Sequence, residues 1–326
     1  PGGRKNHDGH VPLIGGLVVF PVFILCSILA GDEFATHWPF YTAILVLLTT
    51  GAVDDRVQLH SLTKFGLQFV AATLVVLAGG AELHQLGNLF GFGDFGLGLV
   101  SVPFSIVAVV LLINAINLMD GLDGVAGGVS LVILSWFFVG ALMAGVAAFR
   151  SSCIILLAAL LGFLFENMRS PFRAKASIFL GDAGSMCLGL AIGWYAIHLS
   201  LPDATTSARV LEPMAVAWVM ALPIWDECAQ FNRRVREGRH PFSPDRGHFH
   251  HHFIQAGLAS GTAVSMILGI AALMGFVGIV GVNAGLPLPI LTIVWIIGIL
   301  GHMALSKDLE QYPLLIRKLR LTQSTE

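Results

Sequence analysis

Charge is what this 326-residue chain has least of: Asp, Glu, Lys and Arg make up 12% of it, about half their share in an ordinary soluble domain. A chain so poor in charge lacks the residues to clothe a water-facing surface. Cysteine is as sparse. Of the four, Cys26, Cys153 and Cys187 fall in apolar runs where they pack as small hydrophobes, Cys228 sits beside a charged stretch, and no CxxC pair exists. A disulfide framework and a thiolate metal centre are thereby excluded. The longest polar stretch, Asp226 to Ser260, is too short to fold as a separate soluble domain. No internal repeat is evident, and the first dozen residues are too polar for a signal peptide. The net charge of −2 says little, and no nucleic-acid partner is expected.

What the chain does have is apolar length. Hydrophobic residues make up 56% of it, and runs able to cross a hydrocarbon core of about 30 Å recur from end to end. Ten candidate spans lie near 13–30, 39–53, 64–79, 98–115, 124–147, 152–167, 178–200, 211–225, 262–282 and 288–305. Those at 39–53 and 211–225 are short enough to be tilted, broken or buried against neighbours. With the N-terminus cytoplasmic, all of the 18 Lys and Arg residues except Arg150 and Arg209 fall inside, which supports both the orientation and the even count. The chain therefore reads as an all-α polytopic transmembrane helical bundle. It is expected to form a single domain over 1–326, with 226–260 as a cytoplasmic basic and His-rich loop, embedded in a lipid bilayer.

On that orientation Asp54, Asp55, Asp120, Asp123 and Asp182 all fall at cytoplasmic ends of spans. Ionisable groups at membrane depth are costly and usually functional. In Asn114-Ala-Ile-Asn117-Leu-Met-Asp120-Gly-Leu-Asp123 a spacing of three puts two amides and two carboxylates on one stripe if the segment stays helical, a set suited to a hydrated hard cation and a polar ligand. A polar turn between helices accounts for it equally well. Asp182, in Leu180-Gly181-Asp182-Ala183-Gly184, suits a helix start through the dipole, or a metal. Asp54 and Asp55 repel one another and are best tolerated beside a cation, either a metal ion or Arg56 and Lys64; a solvated surface pair is the plainer reading. The stretch Ser243-Pro-Asp245-Arg246-Gly-His248-Phe-His250-His251-His252 follows Arg233, Arg234, Arg236 and Arg239. So many cations repel a metal and attract phosphate. Acid clusters facing a phosphate-binding loop describe a phosphoryl-transfer site, which works by positioning and charge neutralisation.

These blocks, with Arg4-Lys5-Asn6-His7 and Pro12-Leu-Ile-Gly15-Gly16 ahead of them, resemble the polyprenyl-phosphate N-acetylhexosamine-1-phosphate transferase family over nearly the whole chain. The histidine loop looks like that of the branch using UDP-N-acetylglucosamine, and lacks the histidine run leading into an acid found in the lipid I enzyme. Two features depart from the family: a further transmembrane helix usually precedes the Arg-Lys-x-His block, implying eleven spans in the parent protein, and Gln58 replaces a third acid often found after the Asp pair.

The resemblance implies roles residue by residue. Asp182 and Asn117 match positions holding Mg2+ (Mn2+ as the alternative) against the pyrophosphate. Phe179 matches an aromatic packed on uracil, and Asp120 and Asp123 match contacts to nucleotide or sugar. Arg246, His248, His250 and His251 match the phosphate clamp, which Lys64 joins, and Asn114 belongs to the same substrate-binding stripe. Asp54 matches the candidate base for the lipid phosphate, with Asp55 its partner. The implied reaction moves N-acetylglucosamine 1-phosphate from UDP-GlcNAc to undecaprenyl phosphate, releasing UMP. This would be the first membrane step of O-antigen or cell-envelope polysaccharide synthesis, at the cytoplasmic face of a bacterial inner membrane. A homodimer is compatible with it. Rival readings are the same transfer from UDP-MurNAc-pentapeptide or a 6-deoxy amino sugar, a non-catalytic lipid-phosphate binder, and an ion transporter. The transporter would need charges in mid-span, whereas Glu166, His198 and His302 lie near span ends.

Overall fold

In a bilayer an apolar run must satisfy its own backbone polar groups, and helix does so within one segment. The computed structural model describes residues 11–31, 34–146, 149–169, 173, 175–202, 209–239 and 247–323, and among these it has thirteen α-helices and no β-strand. They are α1 (Gly15–Leu29), α2 (Phe34–Val57), α3 (Ser61–Leu77), α4 (Ser101–Met119), α5 (Val125–Met143), α6 (Arg150–Asn167) and α7 (Gly181–Ser200). Then come α8 (Pro213–Val219), α9 (Ala221–Arg236), α10 (Phe249–Gln255), α11 (Ser260–Asn283), α12 (Leu288–Leu305) and α13 (Gln311–Gln323). Arg4 to His7, Ser243, Asp245 and Arg246 of the expected motifs lie outside the described residues.

Among the described residues six helices are long and apolar enough to cross a membrane: α4 with the 3₁₀ turn before it, α5, α6, α7, α11 and α12. α1 and α3 are apolar but shorter, and α2 carries the expected span 39–53 onward to Val57. The expected span 211–225 is broken at Met220 into α8 and α9. Pro213 opens α8, and Pro223 stands in the first turn of α9, where its missing N–H is no loss. The stretch 226–260 is not a simple loop, since α9 runs on to Arg236 and α10 follows.

α7 is the hub, packed against α1, α2, α4 and α5. Every one of its residues is buried except Asp182 and His198, which mark opposite ends. The Asp182 end is drawn tight by small residues: a Cβ on Gly16 or on Gly51 would come within 2.2 Å of the backbone nitrogen of Gly184 or Ala183. Such backbone-to-backbone approach is how helices associate where lipid offers no hydrophobic drive. It sets the acids ending α2 beside the start of α7.

Candidate active site

The start of α7 is shaped by Gly181, whose φ of +74° is the left-handed conformation that suits glycine. A side chain there would also meet Asp55 Oδ2 at 2.6 Å. The turn points the Asp182 backbone N–H, which has no partner within the helix, at Asp55 Oδ1, to which it donates at 3.1 Å. The entry to α7 is pinned from behind by the Pro12–Gly16 block: Phe179 donates to Pro12 O at 2.9 Å, and Gly15 donates to Phe179 O at 2.9 Å. Phe179 itself is buried.

Four helices meet at one ammonium. Lys64, in the first turn and a half of α3, donates from Nζ to Asp54 Oδ2 at 3.0 Å, to Asp182 Oδ2 at 2.5 Å and to Asn117 Oδ1 at 3.3 Å. Asn117 on α4 returns a bond from Nδ2 to Asp182 Oδ1 at 3.0 Å and another to Ser185 Oγ at 2.8 Å. Asp54 Oδ1 accepts from the Leu59 amide at 2.7 Å, which fixes the turn between α2 and α3. Side-chain exposures of 13%, 17% and 25% for Asp54, Lys64 and Asp182 place the cluster below the surface yet open to it.

The expected stripe on α4 is interrupted. The helix ends at Met119 with Asp120 as its C-cap, so Asp123 leaves the helical face and accepts from Arg169 Nε at 3.2 Å. Asn114 turns to Gln68, donating to its Oε1 at 2.8 Å. Asn167, at the end of α6, joins two site segments: its Oδ1 accepts from the Gly124 amide and its Nδ2 donates to Ile178 O, both at 2.8 Å.

The histidine segment arrives from the far side of the sequence. His248 is buried between Asp226 and Arg234, with Nδ1 3.2 Å from Asp226 Oδ2 and Nε2 3.3 Å from Arg234 Nη2. His250 lies against the turn that carries Asp120, since a Cβ on Gly121 would fall 2.4 Å from His250 Nε2. Neither ring nitrogen of His250 has a hydrogen-bond partner among the described residues. Burial, then His251 and His248, pushes its pKa down to about 3, so the ring is neutral and able to donate from one nitrogen and accept at the other. His251 is half-buried beside it, ring centroids 4.1 Å apart.

The structure thus brings Asp54, Asp55, Lys64, Asn117 and Asp182 into one cluster and sets His250 against the Asp120 turn; Asn114 is paired with Gln68 and Asp123 with Arg169. Sequence reasoning missed Ser185, Gln68, Asn167 and the role of Asp226. Ser185 had a signal, three residues after Asp182 on one helical face. Among the described residues no group of three or more His, Cys, Asp or Glu side chains could hold a metal by itself. The oxygens of Asp54, Asn117 and Asp182 nevertheless converge on a cation, the Lys64 ammonium.

Comparison with known proteins adds a second line. Residues 37–200 match glycosyl transferase family 4. The undecaprenyl-phosphate alpha-N-acetylglucosaminyl 1-phosphate transferase of Yersinia pestis is 32% identical over 282 residues, 86% of this chain and 76% of the relative. The protein of the same description from Haemophilus influenzae is 34% identical over 283 residues, covering 86% and 78%. That from Salmonella typhi is 32% identical over 286 residues, covering 86% and 75%.

Proposed function

This chain belongs to glycosyl transferase family 4, and from that premise we propose that it transfers N-acetylglucosamine 1-phosphate from UDP-GlcNAc to undecaprenyl phosphate, giving undecaprenyl-diphosphate-GlcNAc and UMP. It does so as a multi-pass protein of a bacterial inner membrane, with its site at the cytoplasmic face. The observation that carries the reading is the convergence of Asp54, Asn117 and Asp182 on Lys64 at one end of the bundle. A phosphoryl-transfer site needs its positive charge fixed before the two anionic substrates meet.

An acceptor-phosphate oxygen attacks the β-phosphorus of the donor, and the bond from that phosphorus to the bridging oxygen breaks to release UMP. A phosphate monoester with a second pKa near 6 is already mostly dianionic at neutral pH, so removing its proton is not the main task. Asp54 instead orients Lys64 and the acceptor, Lys64 offsets the negative charge of both substrates, and Asp55 holds the start of α7. The donor set is oxygen only and already surrounds a cation, which fits a hard divalent ion. Asp182 and Asn117 would hold Mg2+, with Mn2+ the alternative; when bound it supplies charge neutralisation at the pyrophosphate. His250, His251 and Arg246 take phosphate oxygens, Phe179 lies along the uracil, and Asp120 and Asp123 face the nucleotide or sugar.

The test is direct. Purified full-length protein in detergent is given undecaprenyl phosphate, Mg2+ and radiolabelled UDP-GlcNAc, with Asp182→Ala as control. Labelled lipid from the wild type alone, abolished by chelator, is expected. Transfer only from another UDP-sugar would change the substrate, and none from any UDP-sugar would overturn the assignment.

A further inference from the structure

The histidine segment contains two rings that look alike in the sequence and are held in opposite ways. His248 has both nitrogens occupied by fixed, buried partners. Arg234 Nη2 lies 3.3 Å from its Nε2, and a guanidinium has no lone pair to offer, so Nε2 must accept. The proton is thereby assigned to Nδ1, which donates to Asp226 Oδ2 at 3.2 Å. His250, two residues on, has its ring almost parallel to that of His248, with an interplanar angle of 7°, and neither nitrogen is partnered among the described residues.

Asp226, on α9, also reaches past the ring. Its Oδ1 accepts from the Phe249 amide at 3.0 Å, one of the unpaired donors at the start of α10, and from Gln230 Nε2 at 3.2 Å. Gln230 Nε2 in turn donates to Gly247 O at 2.7 Å. One carboxylate and one amide thus fix the ring of His248 and the backbone on both sides of it. Asp226, Gln230, Arg234 and His248 are each at least 97% buried.

We infer that Asp226 is a positioning residue which locks His248 as a strut between α9 and α10, and that this lock presents His250, not His248, to the phosphates of the donor. The inference rests on the transferase reading above and deepens it, dividing the labour within one motif.

The full-length chain in detergent tests it with two readouts. A carboxylate accepts at both oxygens and an amide at one, so Asp226→Asn must release either the His248 ring or the Phe249 amide. Hydrogen exchange across 247–253 is expected to quicken at least several-fold, with kcat for GlcNAc-1-phosphate transfer falling. His248→Asn places an amide Nδ2 where the ring Nδ1 donates, so it is expected to recover at least about tenfold over His248→Ala. His250→Asn, which cannot replace Nε2, the nitrogen that lies against the Gly121 turn, is expected to recover nothing over His250→Ala. Unchanged exchange in a folded Asp226→Asn protein, or equal activity in His248→Asn and His248→Ala, would overturn the strut. If the wild type itself transferred no sugar phosphate, the transferase reading would fall, while the exchange measurement would still decide whether Asp226 locks the segment.

Discussion

Asp55 and Asp182 stand 127 positions apart in the chain, and the backbone amide of Asp182 donates to Asp55 Oδ1 at 3.1 Å. This bond divides the work of an acidic pair that would otherwise only repel. Asp54 turns to Lys64 and the α2–α3 turn, while Asp55 turns to the start of α7 and fixes the direction in which Asp182 points.

Lys64 holds two carboxylates together, so Lys64→Gln leaves them facing one another without compensation. GlcNAc-1-phosphate transfer is expected to fall by about 10²–10³-fold, the scale of losing one preorganised charge-stabilising donor. Lys64→Arg is expected to fall as well, because a planar fork does not fit three oxygens around a point charge. Initial rates of labelled-lipid formation check this, and activity within threefold of wild type would remove Lys64 from the site.

Gly181→Ala combines two faults. A left-handed residue other than glycine costs roughly 1–2 kcal/mol, and the new Cβ meets Asp55 Oδ2 at 2.6 Å, forcing that carboxylate off the Asp182 amide. Thermal unfolding in detergent is expected to show the first cost, and a loss of transfer of about tenfold or more, beyond what instability explains, the second.

Asn167→Ala strips the acceptor of the Gly124 amide and the donor to Ile178 O at once. Leaving such buried groups unpaired costs about 1–3 kcal/mol. The variant is expected to unfold at lower temperature and to lose transfer, because both segments it joins carry site residues. An unchanged unfolding midpoint would contradict this.

Glu227 supplies a pH test outside the membrane spans. Burial pushes its pKa from 4.5 up to about 7, against the pull of His248 and Arg234 and aided by Asp226. The folded protein then keeps a proton that the unfolded chain has released, so stability is full below about pH 4.5, declines up to about pH 7 and is level above. Glu227→Gln removes the term. Its gain in unfolding free energy over wild type is expected to widen between pH 5 and 7, toward roughly 3 kcal/mol, and to stay constant at higher pH; a gain independent of pH would refute the buried acid.

Apolar length in the sequence located the helices that carry the site, because a span has one dominant requirement. It failed where two requirements compete. Residues 211–225 pass as one run by hydropathy, yet Pro213 and Pro223 mark the starts of two helices. α13, Gln-Tyr-Pro-Leu-Leu-Ile-Arg-Lys, is too mixed to register as a span, although Tyr312 within it packs on His252. In the site, the charged clusters were legible because acids are rare in such a chain. Asn167 and Gln68 were not, since a single amide in an apolar run announces nothing until its partner is known. The stripe from Asn114 to Asp123 assumed an unbroken helix and lost its last member to a turn.

The burial of α7 also has a consequence for how the protein is made. It is the least hydrophobic of the six membrane-length helices and the most enclosed by its neighbours, whereas the far more apolar α12 is the least enclosed. Helices inserted one after another partition into lipid by their own apolarity, and α7 has the weakest claim to do so. Lys64 and Asp54 can pair once α3 is in place, but Asp182 follows Lys64 by 118 positions. The cluster around Lys64 is therefore complete only once α7 has been made and has packed among α1, α2, α4 and α5.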